Sequence, residues 1–193
     1  MTIRSFAAAA SVLALCLIGA ASPGISGETA RDQTAPFAVA AVQGTAPNFA
    51  GISHWFNSAP LNIADLRGKV VLVEFWAFDC INCRRSVPAM KKLDEAYDGK
   101  DVVIVGVHTP ELPQERDPYN VEKAVAKLGL KYPIALDNDY RVWKAFKNRY
   151  WPALYVVDKH GIIRHTHVGE LHEDSPGWEE VVRWIDELRK EPA

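Results

Sequence analysis

The chain has 193 residues, which favours one domain, or one domain with an extension. Hydrophobic residues make up 48% of it, enough to bury a single core of ordinary size. The formal net charge is −2 with acidic and basic residues interspersed, which excludes the basic face that nucleic-acid binding requires.

The first 21 residues have the features of a secretory signal peptide. Arg4 precedes the apolar run Phe6–Ile18, which is short for a membrane-spanning helix, and small residues allow cleavage after Ala21. We therefore expect an exported, periplasmic protein that is soluble after cleavage. An uncleaved anchor facing the periplasm is the alternative, and only that anchor would give the protein a membrane contact.

Residues 22–45 are rich in Ala, Gly, Pro and Ser, which predicts a flexible linker before a domain at residues 46–190. Strands and helices alternate along that domain, so we predict an α/β fold with a mixed sheet and helices on both faces. The predicted elements are a strand and turn at Leu61–Gly68, strand Lys69–Ala77, helix Ile81–Tyr97, strand Asp101–Val107, helix Pro118–Leu128, strand Tyr132–Leu136, helix Asp139–Lys147, strands Ala153–Asp158 and Ile162–Val168, and helix Pro176–Arg189.

Cys80 and Cys83 are the only cysteines outside the predicted signal peptide. Cys80 falls between a predicted strand and a helix, where free N–H groups and the helix dipole stabilise a thiolate. Cys83 follows one helical turn later and can resolve a mixed disulfide formed at Cys80. A structural zinc site would need four ligands, and no second Cys-x-x-Cys occurs. An inert pair remains the other alternative.

The motifs VLVEFWAFDCINC (71–83), Pro88 and Trp151-Pro152 resemble the thioredoxin superfamily. Within that superfamily the sequence is most similar to the exported TlpA and ResA group. Four stretches, LRGKVVLVEFWAFDCINC, GVHTPE, YPIALDND and NRYWPALYVVD, resemble the C-terminal thioredoxin-like domain of DipZ-type thiol–disulfide interchange proteins. The resemblance covers residues 46–188 and implies a thioredoxin-like fold with a TlpA-type βα insertion at His108–Tyr132.

The resemblance assigns roles to residues around the cysteines. Glu74 matches the family's buried acid, and a carboxylate inside an apolar strand is costly unless it has a function. We expect Glu74 to take a proton from Cys83; a solvent-facing carboxylate is the alternative. Pro152 matches the family's cis-proline, beside which a client chain pairs with the backbone. Trp151 and Trp76 are expected to shape the substrate-binding surface, although core packing is the stronger expectation for Trp76.

Three residues depart from the better-known relatives and leave the direction of electron flow open. Ile81-Asn82 stands where thioredoxin has Gly-Pro, and Asp79 should oppose a Cys80 thiolate, although it could also cap the helix. DipZ-type proteins carry a membrane electron-transfer domain. The resemblance therefore implies that the cysteine pair receives its electrons from a separate membrane protein of the DsbD or CcdA type.

We therefore predict an exported thiol–disulfide oxidoreductase that acts on protein thiols and disulfides, as a reductant in cytochrome c maturation or thiol repair. It requires no cofactor and no metal. A peroxiredoxin-like peroxidase is one alternative, but Ala77 replaces its peroxide-activating hydroxyl. A copper-binding module is another, with a cysteine spacing one residue too short. Two pairs of residues are weaker functional candidates. For His108 and Glu111, an ordinary loop is the favoured interpretation. For His165 and His167, which could bind a metal, a solvated strand face is favoured.

Overall fold

The computed structural model describes residues 44–193. The predicted signal peptide or anchor at residues 1–21 lies outside that part, as do residues 22–43 of the predicted linker. Within residues 44–193, no helix combines the length and the apolar character that a bilayer crossing requires.

Seven strands form one mixed sheet. They are β1 (Gly44–Thr45), β2 (His54–Phe56), β3 (Val70–Trp76), β4 (Val102–His108), β5 (Ile134–Leu136), β6 (Ala153–Val157) and β7 (Ile162–Val168). Their order across the sheet is β1-β7-β6-β3-β4-β5-β2. The central strand β3 runs parallel to β4 and antiparallel to β6. All of its side chains are buried, as expected for a strand covered on both faces.

Within residues 44–193, four α-helices cover the two faces of this sheet. They are α1 (Ile81–Tyr97), α2 (Pro118–Leu128), α3 (Arg141–Ala145) and α4 (Pro176–Lys190). Helices α1, α2 and α4 contribute to one hydrophobic cluster, with Leu93 and Ile185 fully buried in it. The other cluster contains Val142 and Phe146 around α3 together with Phe49 from the N-terminal segment. The predicted α/β fold with a mixed sheet is confirmed, and α2 lies in the predicted insertion.

The predicted strand at Leu61–Gly68 is wrong, because this segment contains the 3-10 helix Ile63–Leu66. Asn62 caps that helix by accepting a hydrogen bond from the N–H of Ala64 at 2.9 Å. Ile63 and Leu66 are the buried residues, and their separation of three matches a helical turn rather than a strand's alternation.

Two predicted boundaries also differ from the structure. Gly44 and Thr45 pair with β7, so the last two residues of the predicted linker belong to the sheet. Helix α3 is shorter than the predicted Asp139–Lys147. Tyr140 and Lys147, which flank it, have positive φ angles of 58° and 54°, so the backbone leaves the helical conformation at both ends.

Gly106 on β4 leaves space for three side chains of the core. A Cβ atom there would lie 2.6 Å from Ile134 Cδ1, 2.9 Å from Trp76 Nε1 and 3.1 Å from Tyr132 Cε2. We expect Gly106→Ala to lower the free energy of unfolding by about 1–3 kcal/mol, because overpacking a tight core forces its neighbours to move.

Urea unfolding monitored by circular dichroism measures this loss. Gly44→Ala is the matched control, because no atom lies within 4 Å of the Cβ it would add. Equal unfolding midpoints for both variants would show that the packing around Gly106 relaxes without cost.

Candidate active site

Cys80 and Cys83 form a disulfide where the chain passes from β3 to α1. Cys80 is the N-cap residue of α1, and its Sγ accepts a hydrogen bond from the N–H of Cys83 at 3.3 Å. Cys80 is 9% exposed, whereas Cys83 is 1% exposed. A partner can therefore reach the sulfur of Cys80 more readily, which favours Cys80 as the attacking residue.

Charged residues flank Cys80 on both sides in sequence. Arg84 and Arg85 are exposed on the first turn of α1, and Arg85 pairs with Glu170 at 3.0 Å. Asp79 does not cap the helix, because Cys80 occupies the N-cap position. The Asp79 carboxylate instead accepts a hydrogen bond from the Gln114 side chain at 2.9 Å.

Glu74 lies on β3 and is only 3% exposed, so the solvent-facing alternative for this carboxylate is wrong. Its Oε2 accepts a hydrogen bond from the hydroxyl of Tyr132 at 2.9 Å. Burial raises the pKa of Glu74 to about 7, although the hydrogen bond from Tyr132 acts in the opposite direction. Glu74 can therefore gain or lose a proton near neutral pH.

The Trp151–Pro152 peptide bond is cis. The indole N–H of Trp151 donates to the carbonyl of Thr109 at 3.0 Å, and its ring packs on Trp143 with centroids 3.9 Å apart. Within residues 44–193, the backbone N–H and C=O of Trp151 make no hydrogen bond. They are therefore available to pair with an extended client chain.

Trp76 lies in the core and cannot form the substrate-binding surface predicted for it. Its side chain is 1% exposed and packs edge-on against His108, with ring centroids 5.0 Å apart. The side chains of β3 alternate between two covered faces, so an aromatic residue at the end of this strand is buried rather than presented. Phe78, two residues later, is half-buried and lies nearer the surface.

His108 and Glu111 have different environments. His108 is fully buried at the end of β4, and its Nε2 accepts a hydrogen bond from the N–H of Phe78 at 3.2 Å. Burial lowers the pKa of His108 to about 3, so the ring is neutral at physiological pH. Glu111 is exposed in the following loop. His108 thus supports the loop before Cys80, whereas Glu111 has no such contact.

His165 and His167 do not form part of a metal site in the part of the chain that the structure describes. His165 stacks on Trp184, with ring centroids 4.5 Å apart. The Nε2 atom of His167 lies 3.2 Å from the carbonyl of Glu170. Residues 44–193 contain no group of three or more His, Cys, Asp or Glu side chains that could hold a metal ion.

Sequence reasoning missed three buried polar residues near the site, namely Tyr132, Ser86 and Glu115. Ser86 Oγ donates to the carbonyl of Asn82 at 3.1 Å and accepts from the N–H of Leu171 at 2.9 Å. Glu115 accepts three backbone hydrogen bonds. Its position three residues after Leu112 is typical of a residue that caps a helical turn. That spacing predicts a cap but no contact with the cysteine loop.

The family model described as Redoxin matches residues 41–182 of this chain. The chain belongs to the Redoxin family. The matched range includes Glu74, both cysteines and the cis-proline, so the whole candidate site lies in the region that this Redoxin-family protein shares with its relatives. The predicted membership of the thioredoxin superfamily is confirmed.

Curated relatives include Protein DipZ and two proteins named as thiol-disulfide oxidoreductases. Protein DipZ of Mycobacterium tuberculosis is 48% identical over 130 residues, which is 66% of this chain and 19% of DipZ. The thiol-disulfide oxidoreductase YkuV of Bacillus subtilis is 30% identical over 123 residues, 64% of this chain and 82% of YkuV. ResA of Halalkalibacterium halodurans is 31% identical over 115 residues, 58% of this chain and 61% of ResA. The match to DipZ spans about a fifth of that protein.

Solved structures share the same fold. The crystal structure of a thioredoxin-like superfamily protein is 29% identical and has a TM-score of 0.69 over 77% of this chain and 98% of that chain. The solution structure of an oxidised thioredoxin-like protein is 27% identical, with a TM-score of 0.67 over 78% and 98% of the two chains. The predicted thioredoxin-like fold is confirmed. The names of YkuV and ResA support the predicted enzyme class, a thiol–disulfide oxidoreductase.

Proposed function

We propose that this protein is an exported thiol–disulfide oxidoreductase that reduces disulfides in client proteins. The observation that carries the proposal is the Cys80–Cys83 disulfide at the N-terminus of α1, in which Cys80 is 9% exposed and Cys83 only 1% exposed. A disulfide that closes so short a loop adds little stability, so an exchange function explains it better.

The reaction proceeds in two exchange steps. The Cys80 thiolate attacks a client disulfide, forming a mixed disulfide and releasing one client thiolate. Cys83 then attacks the sulfur of Cys80, which re-forms the Cys80–Cys83 disulfide and releases the second client thiolate. The client gains two electrons and the protein loses two, so a further dithiol protein must reduce it before the next cycle.

The N-terminus of α1 supports the first step. The N–H of Cys83 points at the Cys80 sulfur from 3.3 Å, and the dipole of this 17-residue helix favours a negative charge there. Both effects increase the fraction of Cys80 that is thiolate, which is the form that attacks.

Glu74 supports the second step, because Cys83 must lose a proton before it attacks. The pKa of Glu74, raised by burial to about 7, matches the pH range in which a general base works best. Glu74 also lines a cavity of about 10 Å³ that Ser86 and Pro152 share, a size that admits one water molecule.

The client chain is proposed to bind as an added strand beside the cis-proline. The unpaired backbone N–H and C=O of Trp151 supply the hydrogen bonds, and a short extended client segment is the structure that fits them. The ring of Trp151 is half-buried against Trp143 and provides an apolar wall next to this backbone.

The resemblance to DipZ and ResA supports an exported location, with residues 1–21 as signal peptide or anchor and residues 22–43 as linker. We propose clients of the cytochrome c maturation or thiol repair type and a membrane donor of the DsbD or CcdA type. Protein isolated from the native cell should begin at Ser22 if the signal peptide is cleaved. N-terminal sequencing distinguishes this form from a retained anchor.

The direction of electron flow predicts the state of the cysteines in the cell. A reductant is kept as a dithiol by its donor, so we expect most of the Cys80–Cys83 pair to be reduced at steady state. Acid quenching of intact cells, alkylation with a bulky maleimide and electrophoresis measure the reduced fraction. Wild-type protein reduced with dithiothreitol before alkylation marks the position of the dithiol, which carries two labels on Cys80 and Cys83, and the Cys83→Ser variant marks the shift caused by one label.

A predominantly oxidised pair in cells with an intact donor would contradict the reductant direction. The proposed exchange chemistry at Cys80 and Cys83 would still hold, but the protein would act as an oxidant of its clients.

A further inference from the structure

The loop that leads into Cys80 is held by a segment that lies about thirty residues later in the chain. We call residues 77–79 the redox loop. We call residues 108–116 the clasp segment, which begins at the last residue of β4. Three hydrogen bonds join them, namely Phe78 N–H to His108 Nε2 at 3.2 Å, Asp79 N–H to Glu115 Oε1 at 2.8 Å and Gln114 Nε2 to Asp79 Oδ2 at 2.9 Å.

Glu115 is the centre of these contacts. It is fully buried, and its Oε2 accepts the N–H groups of Glu111 at 2.7 Å and Leu112 at 2.8 Å. Capping the 3-10 helix Pro113–Arg116 would account for these two bonds. The third bond, from the N–H of Asp79 to Oε1, has no role in that cap and reaches the residue immediately before Cys80.

The partners of this carboxylate within residues 44–193 are backbone N–H groups, without a paired cation. Burying a carboxylate is costly unless hydrogen bonds compensate, and charge-assisted bonds to N–H groups are among the stronger ones. Three such bonds retain Glu115 in place. They also leave its negative charge beside the peptide group that enters Cys80.

The clasp segment also reaches the other wall of the site. The carbonyl of Thr109 accepts the indole N–H of Trp151 at 3.0 Å, and the N–H of Thr109 donates to the carbonyl of Trp76 at 3.0 Å. The redox loop and the residue before the cis-proline are therefore fixed to the same short segment.

We propose that Glu115 is a positioning residue for Cys80, which orients the redox loop through Asp79 and disfavours the Cys80 thiolate by its charge. The inference deepens the proposed function, on which it rests. A negative charge near Cys80 stabilises the disulfide relative to the dithiol, because only the dithiol gains from thiolate formation. Glu115 thereby makes the couple more reducing, as a reductant requires.

Other charges also act on Cys80, so the contribution of Glu115 must be separated from theirs. Arg84 and Arg85 on α1 favour the Cys80 thiolate, whereas Asp79 on the redox loop opposes it. The neutral ring of His108 on β4 contributes no charge. The charged or titratable groups on the elements around Cys80 are Asp79, Arg84, Arg85, Glu74, His108 and Glu115, together with Lys123 and Lys127 of α2, which line the same pocket as Asp79 and Arg84.

Glu115→Gln tests this inference. A glutamine keeps the shape but turns its NH₂ group towards at least one of the three N–H donors, and it carries no charge. The pH midpoint of Cys80 alkylation should fall by about 0.5–1 unit, since a nearby charge shifts a thiol by this order. The equilibrium constant of the couple with reduced and oxidised glutathione should shift several-fold towards the dithiol.

Glu111→Gln is the matched control, because it removes the same charge from an exposed position in the same segment. It should leave the pH midpoint and the glutathione equilibrium unchanged. A lowered unfolding temperature in Glu115→Gln with an unchanged midpoint and equilibrium would overturn the proposal and leave Glu115 a purely structural cap.

The wild-type protein provides a second measurement that does not depend on folding of the variant. In the reduced protein, the carboxyl carbon resonance of Glu115 should shift over the pH range in which Cys80 ionises, and this step should be absent from the oxidised protein. A Glu115 carboxyl chemical shift that does not change over the pH range of Cys80 ionisation would overturn the proposal. Both measurements use the Cys80–Cys83 pair of the purified protein without a client. A failure to reduce clients would therefore contradict the proposed function and leave this inference unaffected.

Discussion

Cys80→Ser should abolish reduction of protein disulfides, whereas Cys83→Ser should retain one attack on the client and lose turnover. Serine cannot form the thiolate that starts exchange at position 80, the more accessible of the two. Without Cys83, the mixed disulfide at Cys80 waits for an external thiol. Insulin reduction with dithiothreitol as the electron source measures turnover by Cys80→Ser. Because dithiothreitol would itself resolve the mixed disulfide of Cys83→Ser, that variant is measured as pre-reduced protein without added thiol, where it should release one client thiol and the wild type two.

The two single variants are matched to each other, and the double serine variant sets the background. Turnover by Cys80→Ser at more than about a hundredth of the wild-type rate would contradict the assignment of Cys80 as the attacking residue. Release of one client thiol by Cys80→Ser and none by Cys83→Ser would exchange the two roles.

Glu74→Gln should slow resolution of the mixed disulfide by about 100-fold, the lower range for loss of a general base. Formation of the mixed disulfide should be nearly unchanged, because the Cys80 thiolate needs no base. In the wild type, the resolution rate should rise with pH up to the Glu74 pKa of about 7, and the variant should lack this rise. Stopped-flow tryptophan fluorescence of the preformed mixed disulfide measures the resolution rate.

Tyr132→Phe is the matched variant for this step. It removes the hydrogen bond that favours the Glu74 carboxylate, so the pKa of Glu74 should rise and the pH midpoint of resolution should move upward. If Glu74→Gln resolves the mixed disulfide at the wild-type rate, Glu74 is not the general base for Cys83. This conclusion holds for any result with Tyr132→Phe.

The raised pKa of Glu74 also predicts how stability depends on pH. Between pH 4.5 and about 7 the folded protein holds a proton on Glu74 that the unfolded chain releases. The contribution of Glu74 to stability is therefore full below pH 4.5 and falls as pH rises to about 7, by about 3 kcal/mol in total. Glu74→Gln should lack this loss, so urea unfolding of both proteins at pH 5 and pH 8 isolates it.

The elements around the cysteines could be predicted because their patterns are local. The uninterrupted apolar run of β3 and the helical spacing of α1 each depend on residues within one element, and the structure places α1 at Ile81–Tyr97 as predicted. The 3-10 helix Ile63–Leu66 was missed because one short turn contains too few residues to distinguish its spacing from that of a strand.

The contacts of the site could be predicted only in part. Glu74 and the two cysteines lie within a single motif, whereas the role of Glu115 arises when the fold brings residue 115 against residue 79. Nothing in the local pattern of the clasp segment indicates that contact. Trp76 illustrates the opposite case, because an aromatic residue near a motif is buried or presented according to the strand face it occupies.

The trapped client complex tests the proposed mechanism most directly. The Cys83→Ser variant would be expressed in the native cell, captured by an affinity tag and digested without reduction, and its disulfide-linked peptides identified by mass spectrometry. The exchange mechanism predicts client cysteines joined to Cys80 in Cys83→Ser and to neither position in the double serine variant. Absence of any Cys80-linked client above that background, despite normal expression, would contradict it.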